Sequence, residues 1–132
     1  MQNSPPLFSF SGFVKQDKGR GKTLGYPTAN LSVEPKTQEG IFVGTVLYDG
    51  TAFPALVFIG ASLTFNEHDK KAEIYLLDFE EDLYGKNLKV SVFKKFRDNK
   101  KFASKDALVA QMQQDEKQAR EYFKRDYPSY EG

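Results

Sequence analysis

Thr28 and Asn30 are two neutral oxygen donors spaced i, i+2. They follow Gly25-Tyr26-Pro27 and a turn that reads Lys18-Gly19-Arg20-Gly21-Lys22-Thr23-Leu24. Glycine carries no Cβ, so Gly19, Gly21 and Gly25 allow backbone N–H groups to come close to a ligand. Arg20 and Lys22 add positive charge at the same place. Pro27 fixes φ just ahead of Thr28, and in an extended segment an i, i+2 pair shares one face. A phosphate cradle followed by two hard ligands on one side suits a magnesium–nucleotide complex. Each part is ordinary alone: a glycine-and-basic turn can be a plain surface loop, and Thr28 and Asn30 can be turn residues. Their joint occurrence with Gly25 and Pro27 points to phosphate and metal.

Other groups could complete a reaction centre. Glu73 begins the apolar run Glu73-Ile74-Tyr75-Leu76-Leu77-Asp78-Phe79. It reads as a solvated strand end or as a base held at the rim of a cavity. Asp78 falls on the opposite face of the same run, so the two do not form a paired-carboxylate site. His68 is the single histidine, set among Asn66-Glu67-His68-Asp69-Lys70-Lys71, and is expected to be exposed and without a chemical role. The chain has no cysteine, so thiol nucleophiles, disulfides and His/Cys metal sites are excluded. Arg97-Asp98-Asn99-Lys100-Lys101-Phe102 is either a solvated basic connector or a place where Arg97 and Phe102 close over an aromatic ligand.

These side chains need a scaffold. The chain has 132 residues, 12 phenylalanines and 7 tyrosines, a size that suits one domain with an aromatic core. Leu7 to Val14, Ile41 to Tyr48, Ala52 to Gly60, Ala72 to Phe79 and Leu88 to Phe96 read as strands, with Asp49-Gly50 as a hairpin turn and another turn at Asp82 to Gly85. Pro54 lies near a strand start, where a missing N–H is tolerated. Short strands without interleaved helices predict an antiparallel sheet closed into a small barrel or sandwich. After Ser104, an N-cap, Leu108, Met112, Asp115, Ala119 and Tyr122 recur at helical spacing, predicting a C-terminal helix of about five turns. Asp115 interrupts the apolar stripe. It is either a carboxylate hydrogen-bonded to barrel backbone or a contact to ligand or a ligand-gating loop. The tail over 125–132 is expected to fray. Net charge is +1, which gives no overall basic field for nucleic acid. No apolar run approaches a membrane span and no secretory leader is visible, so a cytoplasmic protein is expected.

Taken together, the chain resembles the riboflavin kinase (flavokinase) family from about Phe8 to Phe123. The most specific parts are Gly19 to Leu31 and Glu73 to Lys86, the latter including Asp82-Leu83-Tyr84-Gly85-Lys86. Weaker echoes are Ile59-Gly60-x-x-x-Thr64-Phe65, Phe96-Arg97-x-x-x-x-Phe102, and the helix with Gln111, Asp115 and Arg120. The resemblance implies an all-β fold with a C-terminal helix, a six-stranded antiparallel Greek-key β-barrel occupying the chain as a single domain over 1–132. It implies ATP- and Mg²⁺-dependent phosphorylation of the riboflavin 5′-hydroxyl to FMN. Nucleotide would lie against Gly19, Arg20, Gly21, Lys22, Gly25, Pro27 and Thr28. Mg²⁺ would lie beside Thr28 and Asn30, with Glu73 as catalytic base. Flavin would lie near Glu73, Arg97, Phe102 and Asp115.

Departures from the family pattern are Asp17 where a glycine is usual, Phe13 where a basic or apolar residue is usual, Leu63 for a proline and Tyr75 for a histidine. Many bacterial members carry an adenylyltransferase domain ahead of this module; without that half, FAD synthesis is not expected of this chain. The expected partners are riboflavin and ATP alone, with no nucleic acid, no membrane and a monomeric state. Two other functions remain open at this point. One is a flavin- and nucleotide-binding barrel with weak catalysis, with Asp17 as the cause. The other is a barrel that binds single-stranded nucleic acid.

Overall fold

Successive strand residues point to opposite sides of a sheet, and here both sides have apolar surface to cover. The computed structural model describes residues 5–16, 25–65 and 68–126. Its strands are β1 (Phe8–Phe13), β2 (Ala29–Leu31), β3 (Gly40–Tyr48), β4 (Thr51–Gly60), β5 (Lys71–Leu76) and β6 (Asn87–Arg97), followed by helix α1 (Lys105–Asp126). A short 3₁₀ turn, Leu63–Phe65, lies between β4 and β5. The sheet order is β1-β6-β3-β4-β5-β2, and every pairing is antiparallel. Lys15, just past β1, bridges Asn30 of β2, its N–H donating to the Asn30 carbonyl at 2.8 Å. The two outer strands of the sheet thereby meet, and the sheet curls into the six-stranded antiparallel barrel.

Phe42, Val57, Ile74, Leu88, Val90 and Val92 fill the interior and are fully buried. Their neighbours Ile41, Val43 and Leu56 face outward, where Ala119, Tyr122 and Phe123 of α1 cover them together with Leu77. The helix is therefore the outer half of a second core, which explains why β3 and β4 are apolar on both faces. Ser104 caps α1: its Oγ accepts the Ala107 N–H at 3.1 Å. The helix has 22 residues, about six turns rather than the five expected from the apolar stripe.

Asp49 and Gly50 both adopt positive φ (50° and 78°), the geometry of a two-residue hairpin turn that matches strand twist. Pro54 precedes Ala55, the first β4 residue paired with β5, so its missing N–H costs no bond in that ladder. The expected strand over 72–79 is shorter than predicted. It ends at Leu76, because Leu77 turns under α1 and Asp78 takes the left-handed conformation (φ 57°). Phe79 then packs its ring against Phe53 and Tyr48. β2, a three-residue strand, lies where sequence patterning gives only an extended segment.

Candidate active site

The outward face of β5 presents Glu73 and Tyr75, while Ala72, Ile74 and Leu76 point into the barrel. Glu73 is the third residue of β5 rather than a solvated strand end. It pairs with Asn30 on β2 and with Phe58 on β4. Its carboxylate is half-buried and holds two hydroxyl donors. Thr28 Oγ1 donates to Oε1 at 3.2 Å, and Ser62 Oγ donates to Oε2 at 3.3 Å. Thr28, Asn30 and Glu73 are thus brought together by the β2–β5 pairing, as an extended Thr28-Ala29-Asn30 segment requires.

Asn30 is 6% exposed, and its Oδ1 is the buried side-chain polar atom with no hydrogen-bond partner among the described residues. Such an acceptor normally finds a partner, since leaving it unmade costs about 1–3 kcal/mol. A hard cation would satisfy it. Among the described residues no three His, Cys, Asp or Glu side chains cluster to hold a metal ion. The donor set fits magnesium bound mainly through phosphate oxygens and water, with two neutral protein oxygens beside them.

Thr28 also lines a hollow of about 440 Å³ at the end of the barrel, with Pro27, Val14, Leu76, Phe79 and Tyr84 among its walls. The Glu73 corner therefore borders, through Thr28, a space whose walls mix apolar side chains with Lys15 and Gln16. Glu80, Glu81 and Asp82 form its acidic rim. Gly25, at φ 93°, starts the segment that leads to Thr28. The expected phosphate-binding residues Gly19, Arg20, Gly21 and Lys22, together with Asp17, lie outside the described residues.

On the other side of Glu73 the connector after β6 is stitched to the segment carrying Ser62. Asn99 Nδ2 donates to the Ala61 carbonyl at 2.9 Å, and the Phe102 N–H donates to Thr64 Oγ1 at 3.0 Å. Arg97 lies with its guanidinium carbon 5.7 Å from the Phe102 ring centre. Its Nε and Nη2 donate to Asp115 Oδ1 and Oδ2 at 2.9 and 2.6 Å, a bidentate pair. Asp115 is 1% exposed and also accepts from Gln111 Nε2 at 3.0 Å. Asp115 is expected to bond barrel backbone or to contact ligand or a ligand-gating loop; its partners among the described residues are the Arg97 and Gln111 side chains. Arg97 is held in plane by that carboxylate, with Phe102 alongside it.

Ser62 was not singled out by sequence reasoning. It sits inside the weak echo Ile59-Gly60-x-x-x-Thr64-Phe65 at one of the unspecified positions, and nothing local links it to Glu73. His68 is exposed, as expected of its charged run.

The arrangement so far is a carboxylate flanked by hydroxyls, an orphaned amide oxygen and a hollow on one side, and an arginine–aromatic pair on the other. Over residues 5–123 the chain matches the model of the family described as Flavokinase: Riboflavin kinase. The chain belongs to the riboflavin kinase family. It is 37% identical over 119 residues to the bifunctional riboflavin kinase/FMN adenylyltransferase of Escherichia coli K12, a match that takes in 88% of this chain and 38% of that protein. A solved Streptococcus pneumoniae structure described as a macrolide-efflux protein superposes with a TM-score of 0.74 at 35% identity, over 87% of this chain and 38% of that one. Riboflavin kinase from Trypanosoma brucei superposes with a TM-score of 0.63 over 93% of this chain and 83% of that one. At 24% identity that likeness bears on the fold, a six-stranded antiparallel barrel with a C-terminal helix. The chain spans 38% of the length of its E. coli relative. No helix among the described residues is long and apolar enough to cross a membrane.

Proposed function

We propose that this chain transfers the γ-phosphoryl group of ATP to the 5′-hydroxyl of riboflavin, giving FMN and ADP. The observation that carries this reading is the Glu73 corner. One carboxylate lies between the hydroxyls of Thr28 and Ser62, directly across the β2–β5 pair from a buried amide oxygen that lacks a partner among the described residues.

Phosphoryl transfer asks little covalent work of a protein; placement and charge neutralisation dominate. Glu73 accepts the hydrogen bond of the ribityl 5′-hydroxyl and takes its proton as the new O–P bond forms. The bond between the γ-phosphorus and the β–γ bridging oxygen breaks, and ADP leaves with that oxygen. Thr28 and Ser62 fix the carboxylate, so that one rotamer faces the incoming alcohol. Thr28 and Asn30 would hold a magnesium ion beside the phosphates, where it would supply charge neutralisation to the transferring group. Arg97, locked by Asp115, and Phe102 offer a flat cationic and aromatic surface to the isoalloxazine ring. Gly19, Arg20, Gly21, Lys22, Gly25 and Pro27 contribute the phosphate-binding turn. The nucleotide base takes the hollow beside Thr28 and Pro27, against its apolar side chains Val14, Leu76 and Phe79.

The test is direct. The chain incubated with riboflavin, ATP and Mg²⁺ yields FMN, resolved from riboflavin by chromatography. Binding of both ligands without FMN formation would demote the chain to a binding barrel. Tight, steeply salt-dependent binding of an oligonucleotide with no flavin binding would favour nucleic acid.

A further inference from the structure

Two consecutive acidic residues on α1 reach in different directions. Residues adjacent in a helix diverge by about 100°. Asp115 turns to Arg97 on β6, whereas Glu116 Oε1 accepts the Tyr26 hydroxyl at 2.9 Å. Tyr26 precedes Pro27 and Thr28, so it belongs to the segment that delivers Thr28 to Glu73. Its side chain is 8% exposed, and its ring meets Tyr75 edge-on at 5.1 Å. Tyr75 stands two residues along β5 from Glu73, on the same face. Burial first, and then the Glu116 carboxylate, push the Tyr26 phenol well above its ordinary range, so it stays a donor.

Glu116 is itself held. Arg120, one turn further along α1, donates to Glu116 Oε2 from Nε at 3.0 Å, and its Nη2 forms an ion pair with the same oxygen at 2.9 Å. The same guanidinium donates to both Asp78 oxygens at 3.0 Å, at the corner where the chain leaves β5. A continuous polar chain therefore runs Asp78–Arg120–Glu116–Tyr26, from the end of the Glu73 strand, across the helix, to the loop that bears Thr28. Its energetic value comes from being partly desolvated and fully paired.

We propose that Glu116 is a positioning residue for the nucleotide side of the site, acting through Tyr26 to fix the Pro27–Thr28 segment, while its neighbour Asp115 fixes the flavin side through Arg97. One helical turn then orients the donor and acceptor halves of the reaction by separate contacts. This rests on the kinase reading above. A surface staple of no functional consequence would lower stability and leave the two substrates equally affected; a positioning contact affects one of them.

The test uses Tyr26→Phe, Glu116→Ala, their double variant and Glu116→Gln. Mg-ADP binding is measured by calorimetry without riboflavin, and KM is measured for each substrate. Tyr26→Phe keeps the ring on Tyr75 and removes only the hydroxyl. It should weaken Mg-ADP binding and raise the KM for Mg-ATP by about 5- to 10-fold, the equivalent of one lost hydrogen bond. The riboflavin KM should move by less than about twofold, being set by a separate contact. The double variant should be no worse than Glu116→Ala, because both changes remove one interaction. Glu116→Gln keeps an acceptor for the phenol and should recover most of the loss. Unchanged Mg-ADP binding in Tyr26→Phe, additive losses in the double variant, or equal rises in both KM values would overturn the proposal. If Glu116→Ala does not fold, Tyr26→Phe and Glu116→Gln decide. Absence of FMN formation by the wild type would count against the kinase reading alone, and the Mg-ADP titration would still decide on Glu116.

Discussion

At the residue scale the site turns on Glu73 and Asn30, which face each other across β2 and β5 yet differ in how their polar atoms are satisfied. Glu73 has a donor on each oxygen, so its position is fixed before any substrate arrives. Glu73→Gln preserves size and can still accept from one hydroxyl, but it cannot take a proton. Its kcat should fall by about 10²-fold or more, the loss typical of a positioned base, with riboflavin affinity retained. Turnover assays beside a flavin fluorescence titration check this, and near-normal turnover in the purified variant would remove Glu73 from the role. Among the described residues Asn30 Oδ1 has no hydrogen-bond partner to lose. Asn30→Ala should therefore leave the melting midpoint near that of the wild type while raising the Mg²⁺ concentration needed for half-maximal rate. A metal titration superimposable on the wild type would contradict the ligand assignment. The types and i, i+2 spacing of Thr28 and Asn30 were readable in the sequence. Ser62 was not, because its meaning comes from a contact across the fold with no local pattern.

At the level of elements, what can be read from sequence depends on how local the cause is. Strand-forming runs bounded by turn residues marked β1, β3 and β4, alternation marked β6, and helical spacing after Ser104 marked α1, since each pattern is complete within its own segment. β2 has only three residues and exists because β5 offers it a partner; no alternation over so short a stretch could announce it. The early end of β5 comes from Asp78 adopting a left-handed conformation and receiving Arg120, a contact supplied by the far end of the chain. Asp115 was visible as a break in an apolar stripe, but its partner Arg97 became known only when α1 was laid beside β6. Here a test of element packing is available. Asp115→Asn keeps the volume and loses the charge that locks both guanidinium nitrogens. Charge-assisted hydrogen bonds carry about 1.5–3 kcal/mol, so the riboflavin KM should rise by about 10-fold or more. The KM for Mg-ATP should stay near the wild-type value, and steady-state kinetics with each substrate varied in turn separate the two. Parallel increases in both constants would mean that the helix, rather than Arg97, had been disturbed.

For the molecule as a whole, residue patterns predicted a closed antiparallel sheet without deciding between barrel and sandwich; the six-stranded barrel came with the family resemblance. Closure depends on curvature that single strands do not reveal. It is concentrated where β3 pairs with β6: the register shifts between Val43 and Gly44, and Gly44 brings its backbone against that of Ser91 and Val92. A Cβ at Gly44 would collide with the Ser91 carbonyl oxygen. That atom belongs to the β6 ladder and cannot turn aside as a flexible side chain could. At Gly50, by contrast, an added Cβ would meet nothing within 4 Å, and only the positive φ of 78° opposes it. Gly44→Ala should therefore destabilise the barrel by at least the roughly 1–3 kcal/mol typical of an overpacked core. Gly50→Ala should cost about 1–2 kcal/mol, the usual penalty of a left-handed conformation for a residue with a Cβ. Urea unfolding followed by circular dichroism ranks the two. Because β3 and β6 carry both the barrel interior and the outer surface under α1, the Gly44 loss should appear as one cooperative shift of the whole transition. Equal midpoints for the two variants would show that the β3–β6 approach at Gly44 can relax, and that curvature of the barrel is set elsewhere.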